Sequence, residues 1–197
     1  MERELRLAAR RGDYEQCELL ISKSINIKAK DVNGMSALHF AVYNEHFDVA
    51  ELLLERGASA NQTDNFGQTA LHGAIVLHSS ALVTLLLDHG CLLGQMDIEG
   101  RTAMHKAVAC GGGLEIAILL LLRGASIDTR DLFGKSPADL AVEIGGNTGQ
   151  MAKLCRIWPI ALKVWTLRQG QECLRVAHRT SLRRLPRDLV RVLFGYL

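Results

Sequence analysis

Hydrophobic and polar positions along the chain repeat one phrase about every 33 residues. The phrase opens on an aspartate, has a glycine three residues later, and continues into a short helical stretch rich in small apolar residues. A second, leucine-rich helical stretch follows. The openings are Asp31, Asp64, Asp97 and Asp131, which stand 33, 33 and 34 residues apart. This period predicts stacked two-helix repeats rather than one globular core.

Residue types inside the phrase have separate physical roles. The copy that opens at Asp31 illustrates these roles. Its Gly34 occupies the turn, where positive φ is often required. Ser36 precedes the first helix and can cap its free amides. Ala41 is small, so neighbouring first helices can approach closely. Gly57 follows the second helix as a C-cap residue. These roles recur in the other copies, which predicts the same local structure in each.

The four phrases read DVNGMSALHFA, DNFGQTALHGA, DIEGRTAMHKA and DLFGKSPADLA. Both their period and their wording resemble the ankyrin repeat. The resemblance implies an all-α ankyrin solenoid with β-hairpin loops over residues 1–156, in repeats of about 1–30, 31–63, 64–96, 97–130 and 131–156. The first repeat lacks the aspartate–glycine turn. We expect it to cap the array, with Leu5, Ala8 and Ala9 facing the second repeat.

A histidine recurs inside the first helix of three copies, at His39, His72 and His105. One interpretation is a column of imidazole metal ligands. The other is structural, with each ring hydrogen-bonded inside its own turn and to the neighbouring repeat, and this is the rule in the ankyrin family. Asp139 takes the position in the fifth copy, so the column does not continue. We therefore predict no metal site and no cofactor.

Charge is distributed unevenly. Residues 156–197 hold nine Lys or Arg and two acids, which leaves residues 1–155 near −5 because the whole chain is +2. A basic tail can attract nucleic acid through phosphates. More often such a tail is a solvated or protein-docking face, and we favour that interpretation and expect no nucleic-acid partner. The five cysteines are widely spaced without a CxxC pair, which argues against a disulfide framework or zinc site.

No targeting or catalytic signal stands out. The first residues, MERELRLAARRGD, lack the apolar core of a signal peptide. The aliphatic run from Ile116 to Leu122 is far shorter than the roughly 20 residues of a membrane span. Neither a phosphate loop nor a hydrolase nucleophile motif is present. We expect a non-enzymatic protein of the cytoplasm or nucleus.

An ankyrin array binds partners through the concave face formed by its turns and first helices. Side chains on this face that packing does not require would select a partner protein, and aromatic and arginine anchors dominate such interfaces. Alternatively, Phe40 packs inward and the phenylalanines of the turns cover neighbouring turns. The predicted partner-binding residues are Met35, Phe40, Tyr43, Phe66, Gln68, Glu99, Arg101, Phe133 and Lys135.

The pattern changes at Pro159, which we expect to stop the last repeat helix and begin a separate segment, residues 157–197. Within it, CLRVAHRTSL from Cys173 to Leu182 and LPRD from Leu185 resemble the SOCS box, a short C-terminal helical module often fused to ankyrin repeats. The resemblance implies docking to elongin C, with its companion elongin B, and to a cullin of a ubiquitin ligase. The expected elongin contacts are Leu174, Ala177 and Leu182, and the expected cullin contacts are Leu185, Pro186 and Leu189.

Two alternatives remain for this segment. Residues 181–197, SLRRLPRDLVRVLFGYL, also resemble the opening helix of an F-box, which would recruit a different cullin complex. The segment could instead cap the solenoid, with its leucines on the fifth repeat and its arginines in solvent. An exposed stripe of Leu174, Ala177 and Leu182 would favour docking over capping.

Overall fold

A computed structural model describes residues 1–111, 113–145 and 149–169, with side chains described as far as residue 159. This part of the chain is helical and divides by its contacts into two compact units, the first of residues Met1–Ile98 and the second beginning at Glu99. Its helices are α1 (Glu2–Arg11), α2 (Tyr14–Ser22), α3 (Ala37–Tyr43), α4 (Phe47–Glu55), α5 (Ala70–Val76), α6 (Ser80–Asp88), α7 (Ala103–Ala109), α8 (Gly113–Leu122), α9 (Pro137–Gly145) and α10 (Gln150–Gln169).

The first unit stacks three helical pairs. Each helix packs on its partner in the pair, α1 on α2, α3 on α4 and α5 on α6. The first helices α1, α3 and α5 also pack in sequence, as do the second helices α2, α4 and α6. Leu5, Ala8 and Ala9 of α1 are buried, as expected for a first repeat that faces the second. The all-α repeat architecture predicted from the sequence is confirmed.

The second unit is built from the same kind of helical pairs. Helices α7 and α8 form a pair, α7 also packs on α9, and α10 packs on both α9 and α8. Helix α8 is buried from Ile116 to Leu122. This explains why its sequence is aliphatic throughout rather than amphipathic. Full burial of a leucine side chain stabilises a fold by about 1.5–3 kcal/mol, so α8 is a main source of stability for this unit.

The polar residue before each of the first helices α3, α5 and α7 caps that helix. At α3, Ser36 and His39 form a capping box, and the backbone N–H of Ser36 donates to His39 Nδ1 at 3.2 Å. Thr69 with His72 at α5, and Thr102 with His105 at α7, repeat the arrangement. A histidine thus takes the place that glutamate or glutamine usually holds in such a box.

The turns between repeats are closed by backbone hydrogen bonds. Asp31 N donates to Met35 O at 2.9 Å, and Gly34 N donates to Asp31 O at 3.0 Å. Equivalent bonds close the turns at Asp64 and Asp131. Strand pairing among the described residues is limited to one antiparallel bridge between Thr63 and Thr69. The predicted hairpin loops are therefore tight turns with very little ladder.

The expected stop at Pro159 is wrong, because α10 runs without interruption from Gln150 to Gln169. Proline removes one amide and crowds the carbonyl four residues earlier, which usually ends or bends a helix. Pro159 lies on the exposed side of α10, whereas Leu154 and Trp158 are buried. A proline on the solvent side is tolerated because the helix can bend away from it while the opposite side stays packed.

Candidate functional site

The aspartates that open three of the phrases, Asp31, Asp64 and Asp131, organise their turns from within. Asp31 Oδ1 accepts hydrogen bonds from the backbone N–H groups of Asn33 (2.9 Å) and Met35 (2.8 Å). Asp64 and Asp131 bind the equivalent amides of their own turns at 2.8–2.9 Å. Each of these turns is thus fixed by its carboxylate and its backbone. At Asn65 the side chain takes part as well, because Nδ2 donates to Val32 O of the preceding turn at 2.9 Å.

Backbone hydrogen bonds also join one turn to the next within each unit. Asn65 N donates to Asn33 O at 3.0 Å, and Ile98 N donates to Phe66 O at 3.0 Å. In the second unit, Leu132 N donates to Glu99 O at 3.0 Å. These links are made by backbone atoms, and the apolar side chains at the tips are exposed, at Val32, Phe66, Ile98, Leu132 and Phe133.

His39 carries a structural hydrogen-bond network rather than a metal-binding geometry. Its Nδ1 accepts from Ser36 N–H, and its Nε2 lies 3.2 Å from Gln68 O of the next turn. Because a carbonyl can only accept, the proton must be on Nε2. Burial is the main cause that lowers the pKa of His39, so the ring is neutral at physiological pH. The predicted structural interpretation of the histidine is confirmed at this position.

The second unit repeats this network and then replaces it. His105 Nε2 donates to Lys135 O at 3.1 Å, while its Nδ1 accepts from Thr102 N–H at 3.1 Å. In the fifth copy, Asp139 Oδ2 accepts from the backbone N–H (3.0 Å) and hydroxyl (2.8 Å) of Ser136. These two bonds lower the pKa of Asp139. A carboxylate therefore performs the capping that histidine performs in the earlier copies.

First helices of the first unit present a mixed aromatic surface. Phe40 and Tyr43, both on α3, are half-buried. The Tyr43 ring centroid lies 6.2 Å from that of His39. Tyr43 also extends over Gly73 of α5, where an added Cβ would overlap the ring. Burial, with a smaller contribution from Asp64, raises the pKa of Tyr43 to about 12, so the phenol keeps its proton.

Charged and aromatic groups meet in the turns of the second unit. Arg101 forms an ion pair with Glu99 at 2.6 Å and lies with its guanidinium carbon 5.9 Å from the Phe133 ring centroid. Lys135 is ion-paired with Glu143. Cation–π contacts of this kind are worth about 0.5–1 kcal/mol at exposed sites. They orient Arg101 and Phe133 side by side on the surface.

The predicted partner-binding residues separate into two groups by exposure. Phe66 and Phe133 are exposed, at 57% and 66%. The remaining seven predicted residues are half-buried, and for Gln68 and Lys135 the backbone carbonyl serves the histidine network. The predicted docking residues from Leu174 to Leu189 lie outside the described part of the chain.

A basic groove in the first unit was missed by the sequence interpretation. Arg3, Arg6 and Arg10 of α1 line it together with Lys30. Arg3, Arg6 and Arg10 are spaced three and four residues apart, and this spacing is the signal that could have revealed a shared helical face.

Three of the cysteines have low expected reactivity because their thiols are buried. Cys17, Cys91 and Cys155 are buried, and desolvation raises the pKa of each to about 11. Cys110 is exposed. In the described residues, no group of three or more His, Cys, Asp or Glu side chains is placed to hold a metal ion. Among the helices of the same residues, none is long and apolar enough to span a membrane.

Comparison with known protein families gives one match. A family model described as ankyrin repeats (3 copies) matches residues 5–64 and 56–131, which together make up more than half of the chain. No curated protein matched the sequence.

Proposed function

Since the chain belongs to the ankyrin-repeat family and is thereby a protein-interaction scaffold, we propose that it binds a substrate protein for a cullin–RING ubiquitin ligase. In this role the repeats hold the substrate, and residues 157–197 hold the ligase. No covalent step takes place on this chain, because ubiquitin transfer is carried out by partners. The contribution of the chain is proximity, which raises the effective concentration of substrate near the transfer machinery.

The observation that supports substrate binding is that different atoms of the turns serve structure and remain exposed. Backbone atoms and the opening aspartates hold the turns together, while Phe66 and Phe133 remain exposed. Exposed aromatics with charged neighbours, as at Arg101, have the composition of protein-interface anchors. Because the turns do not depend on the Phe66 and Phe133 side chains for their structure, these side chains are available to bind a partner.

The ligase half of the proposal rests on the sequence of the C-terminal segment. The order Leu174-Arg175, then Leu182, then Leu185-Pro186 is similar to that of a SOCS box and follows directly after ankyrin repeats. In the proposal, elongin C contacts Leu174, Ala177 and Leu182. The cullin contacts Leu185, Pro186 and Leu189. Elongin B enters as the companion of elongin C.

Co-expression of residues 1–197 with elongin B and elongin C, followed by size-exclusion chromatography, tests the proposal. We expect one stable complex of the three proteins. Leu174→Asp should abolish it, because a buried unpaired carboxylate at an apolar interface costs several kcal/mol. Thr180→Asp is the matched control, since it introduces the same charge at a position not assigned to elongin contact. It should leave the complex intact.

Elution of a folded chain without elongin would contradict the ligase proposal. A pull-down with the adaptor that recognises F-box proteins would then distinguish the F-box alternative from a simple solenoid cap. Equal loss of elongin binding in Leu174→Asp and Thr180→Asp would show that the assigned contact residues are wrong. Circular dichroism on both variants would verify that the repeats remain helical.

A further inference from the structure

A groove of about 530 Å³ lies in the first unit, between α1, α3 and the turn that opens at Asp31. A cleft of this volume is in the range that protein pockets use to enclose small ligands or a few side chains of a peptide. Neither the histidine network nor the backbone links between turns uses this space. The lining residues therefore show what it could accept.

Four cations line the groove. Arg3, Arg6 and Arg10 lie one helical turn apart on α1, and Lys30 faces them from the start of the first turn. Arginine side chains can bind carboxylates through two parallel hydrogen bonds, which lysine cannot do. A row of three arginines on one helical face can therefore engage successive carboxylates of an extended chain.

The cations are not neutralised by this protein itself. Arg6 donates to Ala29 O at 3.4 Å and Lys30 donates to Thr63 O at 2.6 Å, so these two side chains are anchored to backbone. In the part of the chain that the structure describes, neither they nor Arg3 and Arg10 form an ion pair with a carboxylate. Their positive charge is available to an anionic partner.

Asp31 is the one carboxylate among the lining residues, and its charge is already engaged. Its Oδ1 accepts two backbone hydrogen bonds within the turn, from Asn33 and Met35. These bonds stabilise the negative charge where it is and fix its position. The groove consequently keeps an excess of positive charge.

Apolar side chains complete the lining. Leu7 of α1 and Phe40 of α3 are both half-buried, and Val32 at the rim is 91% exposed. These side chains offer a partner leucine or phenylalanine a surface away from water. An anion without an apolar part would leave this surface unused.

We propose that this groove binds an acidic segment of a partner protein, in which carboxylates flank a leucine or phenylalanine side chain. The carboxylates pair with Arg3, Arg6 and Arg10, and the apolar side chain packs on Leu7 and Phe40. The inference rests on the substrate-binding half of the proposed function. It does not depend on elongin binding.

The apolar part of the lining favours a peptide over nucleic acid as the occupant. A polyphosphate backbone would match the cations, but its phosphates would leave Leu7 and Phe40 without a partner. An acidic peptide with an apolar residue meets both parts of the groove.

Selection of short random peptides displayed on phage, using immobilised residues 1–197 as bait, tests the inference. We expect enrichment of sequences that combine Asp or Glu with Leu or Phe. Enriched peptides are then synthesised with a fluorescent label and measured by anisotropy. Their affinity should fall with added salt, because exposed charge pairs are screened. Replacing their acids with the corresponding amides should weaken binding roughly tenfold or more.

Two arginines on the same helical turn provide a matched pair of variants. Arg10→Glu reverses a charge that lines the groove, whereas Arg11→Glu reverses an exposed charge that does not. Both lie in the last turn of α1, so their effects on the helix dipole are equivalent. We expect Arg10→Glu to weaken binding roughly tenfold, and Arg11→Glu to leave it nearly unchanged.

Several results would overturn the inference. Enriched peptides without acidic residues would do so, as would equal loss of affinity in Arg10→Glu and Arg11→Glu. Tighter binding of duplex DNA or single-stranded RNA than of the acidic peptides, lost in Arg10→Glu, would assign the groove to nucleic acid. Elongin co-purification is scored on the same preparations. A failed groove with intact elongin binding, or the reverse, therefore separates the two proposals.

Discussion

At the scale of single residues, the contact between Tyr43 and Gly73 shows how one repeat makes room for the next. Gly73 occupies the helical position that Phe40 and Lys106 hold in neighbouring copies. Any side chain there would meet the Tyr43 ring. Glycine inside a helix costs about 0.5–1 kcal/mol relative to alanine, so this position gives up helix stability in exchange for a packed aromatic.

In a double-mutant cycle on Tyr43 and Gly73, we predict that the effect of Gly73→Ala on stability changes sign when the tyrosine is removed. Gly73→Ala alone should destabilise the protein by roughly 1 kcal/mol, because overpacking outweighs the gain in helix propensity. In a Tyr43→Ala background the same substitution should stabilise it by about 0.5–1 kcal/mol. Urea unfolding of the four proteins measures both values. Additive effects would show that the tyrosine ring moves aside without cost.

At the scale of elements, α10 is the helix whose sequence conflicts most with its structure. Pro159 lies near the middle of a 20-residue helix. The burial of Leu154, Cys155 and Trp158 against the rest of the second unit offsets the hydrogen bond that the proline removes. Tertiary packing thus overrides a strong local preference.

Replacing Pro159 should increase the stability of the folded protein, because the proline is unfavourable inside the helix. We expect Pro159→Ala to raise the free energy of unfolding by about 1–3 kcal/mol, since the position is exposed and alanine restores the missing amide. Lys153→Ala, on the same helix, should change it by less than about 0.5 kcal/mol. Thermal and urea unfolding provide the measurement. An unchanged Pro159→Ala protein would mean that the helix is not continuous in solution.

At the scale of the whole molecule, a repeat array is stabilised mainly between neighbours, so its ends open before its middle. Three buried thiols sample different repeats of this chain. Cys17 lies in the first repeat, Cys91 follows α6, and Cys155 lies in α10. Each is protected in the folded state both by burial and by a pKa of about 11.

Iodoacetamide labelling at pH 8, read by mass spectrometry, should report this order. Without denaturant, Cys110 should react first among these four thiols because it is exposed and the other three are buried. In urea below the unfolding midpoint, Cys17 and Cys155 should become reactive before Cys91. Simultaneous exposure of all three would instead indicate that the array unfolds as one cooperative unit.

Sequence reasoning located the repeats because their period depends on local chemistry. Turn aspartates, capping hydroxyls and leucine pairs each act within a few residues, so reading the chain recovers them. It failed at Pro159, where burial decides the outcome, and it did not find the groove that Arg3, Arg6 and Arg10 line. Whether a groove forms depends on which helices and turns face each other. The sequence identifies residues that could line a groove, but it does not show which of them come together.

The hydrogen bonds between turns have a consequence for how this protein can change. They join Asn65 to Asn33 and Ile98 to Phe66 through backbone atoms, which every residue except proline supplies in full. Mutations at exposed apolar tip positions such as Phe66 and Ile98 can therefore alter which partner is bound while these backbone links remain. Such a separation lets selection, or a protein engineer, redirect the molecule to a new target without first rebuilding its fold.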